Sequence, residues 1–307
     1  MKCFKYEEDR LPVALFVFSF LLDFLVFLFV GNHLMVAGWM LLNIFPKTCI
    51  CAFNHHHQHL PTFRQAFLNR LLELIYGFQT GVTSHAWFLH HVVGHHRNYL
   101  NQDLDESAWK RKDGTKMGTV EYSGTIAGTA YTRAYKTGEK SPKHRRIFVS
   151  MLVLQLVILA ALACYNWYNA MVLYLIPMII SIYITAWHTY YHHAGLDADD
   201  HHEASFNFTH KWYNILTGNL GFHTAHHMRG GLHWSKLPEL HKTLEDKIPN
   251  HLYRQPSIPF RWMGKASTPG IKTGHMDSIP RHPELASAPG TPETEEPSKQ
   301  PEVMATG

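Results

Sequence analysis

The chain has 307 residues, enough for one large domain or two small ones, and its net charge is only +4 with histidine neutral. So small a surplus argues against a nucleic-acid binder. The outlier is histidine: there are 25, and they bunch rather than scatter, which points to metal chemistry.

In chain order, residues 1–10 mix Lys2, Lys5 and Arg10 with Glu7, Glu8 and Asp9. Residues 11–30 are apolar over about one bilayer thickness of helix. No small-residue cleavage site follows, so the stretch reads as a span and not a signal peptide. Asp23 interrupts it. A carboxylate is expensive in lipid, so Asp23 is expected to face other helices or be protonated. Gly31-Asn32 turns the chain into a second span, 33–53, whose Lys47 is expected to snorkel to the interface. This helix delivers Asn54-His55-His56-His57-Gln58-His59 to the side on which the chain began.

Residues 61–89 are amphipathic, with Arg64 and Arg70 among apolar neighbours, and are expected to lie along the interface. They lead into His90-His91-Val92-Val93-Gly94-His95-His96. A polar loop rich in Lys and Arg follows, from Arg97 to Arg146. Residues 147–164 and 168–187 are two further spans, joined by the uncharged turn Tyr165-Asn166-Trp167. Then come His188, His192, His193, a run of acids, and His223, His226 and His227. The four cysteines (Cys3, Cys49, Cys51, Cys164) have neither zinc-ribbon nor thioredoxin spacing and are expected to be reduced. From 265 onward Pro, Ser, Thr, Gly and Glu displace apolar residues, so this tail is expected to be disordered.

The expected architecture is an all-α integral membrane protein with about four transmembrane helices. It divides into a cytoplasmic N-terminus (1–10), a membrane domain (11–264) and a polar tail (265–307). The basic loops and both termini fall on one side, which the positive-inside rule makes cytoplasmic. Every histidine cluster then lands on that same side.

The clusters carry ligand spacing. On a helix, His223, His226 and His227 stand at i, i+3 and i+4 and share a face. Neighbouring histidines point about 100° apart. Each His-His pair is therefore expected to serve two metals. Histidine with few carboxylates suits a redox transition metal rather than magnesium or calcium.

Three stretches carry a resemblance: NHHHQHLPTFRQAFLNRLLE (54–73), HHVVGHHRNYLNQDLDES (90–107) and NILTGNLGFHTAHHMRGGLHWSKLPELH (214–241). Over roughly residues 11–245 the chain resembles the integral-membrane fatty acid desaturases, whose relatives include the membrane alkane hydroxylases. The resemblance implies a transmembrane bundle under a cytoplasmic, histidine-rich helical cap that holds two iron ions. It implies ligands at His55 and His59, at His91, His95 and His96, at His193, and at His223, His226 and His227. In the first box His56 and His57 stand as alternatives to His55, because the usual acid after the first histidine is missing. His188 and His192 are rivals of His193. Asp103, Asp105, Glu106 and Asp197 look like partners that orient imidazoles.

The implied activity is O2-dependent desaturation of a fatty acyl chain carried on CoA, acyl carrier protein or lipid. An alkyl chain has no acidic proton, so side-chain acid–base chemistry cannot activate it. With no ferredoxin-like cysteine set or flavin motif, the electrons are expected from a separate donor such as ferredoxin, rubredoxin or cytochrome b5. The three residues between His91 and His95, with Gly94 before the pair, also match the alkane hydroxylases, so hydroxylation is the alternative outcome. A membrane metal transporter or metal-binding protein is a third reading. The lack of ligands at mid-span argues against it.

Overall fold

The structure, a computed structural model, describes residues 3–266. Among these residues, helices build the architecture and only isolated β-bridges occur. α1 (Arg10–Phe29) and α2 (His33–His59) are joined through Asn32. The Asn32 side-chain oxygen accepts from the Leu34 and Met35 N–H groups at 3.0 and 3.1 Å. That satisfies two donors otherwise orphaned at the helix start. α3 (Ala66–Thr80) and α4 (Thr119–Thr137) precede α5 (Pro142–Tyr165). α6 (Trp167–Ala170), a π-helical turn (Met171–Leu175) and α7 (Ile176–His193) run on as one continuous helix. Three short helices close the far end: α8 (Lys211–Leu216), α9 (His223–Met228) and α10 (Leu237–Leu244).

Four helices are long and apolar enough to cross a membrane: Glu7–Phe29, His33–His59, Pro142–Tyr165 and Trp167–His193. They match the expected spans in number and order. Large apolar side chains stay exposed along them, including Leu15, Phe18 and Leu25 on α1 and Val153, Leu156 and Val157 on α5. Such faces suit a hydrocarbon solvent.

Two spans outrun their expected ends. α2 continues from 53 to His59, and the last span continues from 187 to His193. No Pro or Gly interrupts 54–59 or 188–193, and the polar side chains there are packed in protein. The first histidine cluster and His193 are thus the final turns of membrane helices, with no separate cap element between.

Asp23 faces other helices, as expected, but Lys47 does not snorkel. Its Nζ donates to Asp23 Oδ2 at 2.6 Å and to the Leu173 carbonyl at 3.2 Å, and both charged side chains are buried. The Trp39 indole N–H adds a bond to Asp23 Oδ1 at 2.9 Å. A nearby opposite charge removes the reason for the ammonium to reach water.

Two further differences concern the polar segments. α3 is amphipathic, but its Leu72 and Tyr76 pack with Val13, Phe16, Ile50 and Phe53 of the first two spans, leaving Phe67 and Leu71 exposed. The loop after Arg97 contains α4, for which no helix is expected. Tyr122 and Ile126 of α4 pack with Ala186 and Tyr190 of α7, and Ala134 packs with Phe148 of α5. The tail expected to be disordered, 265–307, lies outside the described residues apart from Lys265 and Ala266.

Candidate metal centre

The last turns of α2 and α7, the π-helical turn Phe88–Val93 with the loop after it, and α9 converge at one end of the bundle. α9 is only six residues long and is held from outside. Asn207 accepts the Thr224 N–H at 3.0 Å and donates to Thr224 Oγ1 at 2.8 Å. Just before it the chain passes so close to Phe208 that a Cβ on Gly221 would sit 2.1 Å from the Phe208 carbonyl oxygen. Only glycine fits there.

Two groups of imidazoles result. His55, His59, His91, His96 and His226 bring one ring nitrogen each within 4.8 Å of one another. His95, His193 and His227 do the same in a second group. His223 joins the second group: its Nε2 lies 2.9 Å from His193 Nε2 and 3.2 Å from His227 Nε2. Every histidine expected from the sequence as a ligand is therefore in one group or beside it. The adjacent pairs divide as the 100° rotation per residue requires. His96 and His226 belong to the first group, and His95 and His227 to the second.

The rivals stand elsewhere. His56 Nε2 is 3.3 Å from the Thr217 carbonyl, and His57 is bonded to Thr62 at 2.9 Å and Glu73 at 3.2 Å. His192 spends both nitrogens, on the Phe206 carbonyl at 3.0 Å and the Tyr213 hydroxyl at 3.1 Å. Its ring stacks on His223 at 3.8 Å. His188 lies one turn earlier and makes no bond to either group. His90 is buried against Trp87 with both ring nitrogens unpartnered, outside the groups.

Of the four acids expected to orient imidazoles, Asp105 does so. Its carboxylate accepts from His95 Nδ1 at 2.8 and 3.0 Å and from the Ser107 N–H at 2.7 Å. Asp103 is exposed, Glu106 pairs with Arg133 at 3.4 Å, and Asp197 pairs with Lys110. The sequence reading missed two contacts. The Ala204 carbonyl takes His193 Nδ1 at 3.0 Å, and the Tyr99 ring packs on His227 at 4.2 Å. A backbone carbonyl leaves no side-chain signal, and Tyr99 joins His227 only through the fold.

The donor set suits a transition metal. Burial, then the closeness of the other imidazoles, holds His91, His96, His223, His226 and His227 well below the usual histidine pKa. They are neutral at pH 7, each with a free lone pair. Both His226 nitrogens are buried without a partner. A neutral imidazole so placed carries a desolvation cost that a metal would remove. The Nε2 atoms of His55 and His59 are 3.1 Å apart, those of His91 and His96 3.0 Å, and those of His95 and His193 3.3 Å. Nitrogens about 2.1 Å from one shared ion lie roughly 3.0–3.4 Å apart.

A cleft with about 610 Å³ of empty space, counted to its open mouth, runs to the groups between α2 and α7. Thr48, Cys49, Cys51 and Ala52 of α2 face Thr185, His188, Thr189 and His192 of α7. His55, His91 and His223 stand in the same wall. One cleft thus touches ligand candidates of both groups.

No curated protein and no solved structure matches the chain. The family model for fatty acid desaturase matches residues 31–259, a stretch that takes in all three histidine boxes, both imidazole groups and every cleft residue named above. With that match over most of its length, the chain belongs to the fatty acid desaturase family, a membrane oxidoreductase family.

Proposed function

We propose that the protein is an O2-dependent fatty acyl desaturase with two iron ions. They would be held by His55, His59, His91, His96 and His226 and by His95, His193, His223 and His227. The observation that carries this reading is the division of the adjacent pairs His95-His96 and His226-His227 between two buried groups. One ion per chain would not need that division. Two iron ions there would supply O2 activation and hydrogen abstraction from an unactivated C–H bond.

The chain's own residues supply position and dryness. Asp105 and the Ala204 carbonyl fix the rings of His95 and His193 and so leave each Nε2 free to bind. The cleft would take the acyl chain. His55, His91 and His223 would meet one of its carbons, while Ala52, Leu220 and Phe260 exclude water. Loss of two hydrogens gives an alkene, and gain of oxygen gives an alcohol.

The ligand ends of α2 and α7 lie on the side of the basic loops, which supports a cytoplasmic site and cytoplasmic termini. A separate donor is needed for electrons. Four basic side chains of the 110–146 segment are engaged: Lys110 with Asp197, Arg111 with Glu121, Arg133 with Glu106 and Arg145 with Glu139. Among the described residues Arg97 and Arg229 are exposed and outside any ion pair. They flank His96 and Gly230, whose Cβ position lies 3.1 Å from His59 Nδ1 and 3.3 Å from His96 Nδ1. An acidic carrier such as ferredoxin would meet the centre there.

The test is mass spectrometry of fatty acids and lipids from cells expressing the wild type or His226→Ala. Products lacking two hydrogens, formed by the wild type alone, support desaturation. Products gaining one oxygen move the assignment to hydroxylase. Metal uptake by cells without lipid products would favour a transporter.

A further inference from the structure

The polar groups on the two long walls of the cleft are nearly all spent. On α2, Thr48 Oγ1 donates to the Phe45 carbonyl at 2.7 Å. On α7, Thr185 Oγ1 donates to the Ser181 carbonyl at 2.8 Å and Thr189 Oγ1 to the Thr185 carbonyl at 3.1 Å. These threonines turn their hydroxyl protons to their own helices. His192 has both nitrogens bonded. His188 differs. It lines the cleft and belongs to neither imidazole group, and among the described residues neither ring nitrogen has a hydrogen-bond partner. Its ring is fixed edge-on against Trp187 at 5.0 Å and lies 6.0 Å from Tyr213.

We propose that His188 anchors an oxygen atom of the substrate, so that the substrate is a chain with a carbonyl or hydroxyl oxygen close to the attacked carbon. The inference rests on the reading of the cleft as the acyl site. A purely hydrocarbon chain would cover a polar nitrogen and leave it unpaired, which costs binding. A chain with an oxygen at that level pairs it. A site built to hydrogen-bond its substrate discriminates strongly against analogues that lack the group. The anchor also sets register. His188 precedes His192 by one helical turn, about 6 Å of axis, and His192 stacks on His223. The oxygen would therefore sit about one turn short of the imidazole groups, and the carbon presented to them would be a few atoms along the chain.

The experiment is equilibrium binding to the metal-free full chain in nanodiscs, so that neither oxidation nor metal loading enters the readout. The probes are hexadecane, methyl palmitate and 1-hexadecanol. The wild type should bind at least one oxygenated probe about 10-fold more tightly than hexadecane. His188→Leu should erase that difference while leaving hexadecane unchanged or tighter. His188→Gln, which keeps a polar group, should restore part of it. Thr189→Val should leave it intact. Preference for methyl palmitate identifies the oxygen as a carbonyl, and preference for 1-hexadecanol identifies it as a hydroxyl. Equal binding of all three probes overturns the anchor and leaves the acyl site standing. An oxygen preference that survives His188→Leu also overturns it. Binding of none of the probes removes both the anchor and the acyl role of the cleft.

Discussion

His95 and His96 are neighbours in the chain, yet their Nε2 atoms serve different groups: His95 lies 3.3 Å from His193, and His96 lies 3.0 Å from His91. The backbone between them forms one edge of both candidate metal sites. His226 and His227 repeat the arrangement on α9. Single substitutions should therefore be separable by metal. His96→Ala should lower bound iron from about two per chain toward one by emptying the first group, and His95→Ala should do so through the second. Each should reduce turnover by at least about 100-fold, since even the partners that orient ligands are worth 10–100-fold. Metal analysis of purified variants, paired with lipid mass spectrometry, checks both. A wild type holding one ion per chain would remove the two-site assignment.

Asp105 acts through His95. Its carboxylate holds Nδ1 at 2.8 Å and so presents Nε2 to the second group. Asp105→Asn keeps the shape but weakens that hold. Iron should dissociate from the second group roughly 10–100-fold more readily, with the first group unaffected. Metal loss against a chelator, followed over time, should become biphasic. A single unchanged phase would show that Asp105 does not support the site.

Much of this arrangement is legible in the sequence, and the rest fails for physical reasons. The spans follow from apolar length, and the ligand histidines from helical spacing joined to the family resemblance. The box-one register is not legible, because His55, His56 and His57 are adjacent on one helix and only packing separates them. Thr217 and Glu73, which engage His56 and His57, lie 161 and 16 residues away in the chain. α4 was hidden by its charged flanks. Yet Tyr122, Ile126, Ala130 and Ala134 recur every four residues and are all buried, a stripe that does signal a helix. The burial of Lys47 is not legible either, because its partner Asp23 sits on another helix.

Gly81 closes α3 in a left-handed conformation with φ 70, and a Cβ there would sit 2.4 Å from the Met178 carbonyl oxygen of α7. Gly81→Ala meets both obstacles, so it should cost more than the roughly 1 kcal/mol typical of a glycine in an unusual backbone region. Since α3 backs α2 near the first box, the loss should be read as a lower unfolding midpoint in detergent with wild-type metal content below it. Metal loss at temperatures where the protein is folded would instead tie Gly81 to the site.

The ion pair of Asp23 and Lys47 separates burial from stability. Both groups are almost wholly enclosed, and Lys47 also binds the Leu173 carbonyl. Removing one partner leaves the other charge uncompensated. Asp23→Leu alone should therefore destabilise the protein by about 3–5 kcal/mol. Removing both charges with residues of similar volume, as in Asp23→Leu with Lys47→Met, should be close to neutral or stabilising, because two desolvation costs disappear together. Unfolding of the two single variants and the double variant in detergent gives the coupling directly. The pair lies among the spans and not among the imidazoles, so iron content and lipid products should follow folding alone. A double variant that folds as well as the wild type but makes no product would place the pair in the reaction.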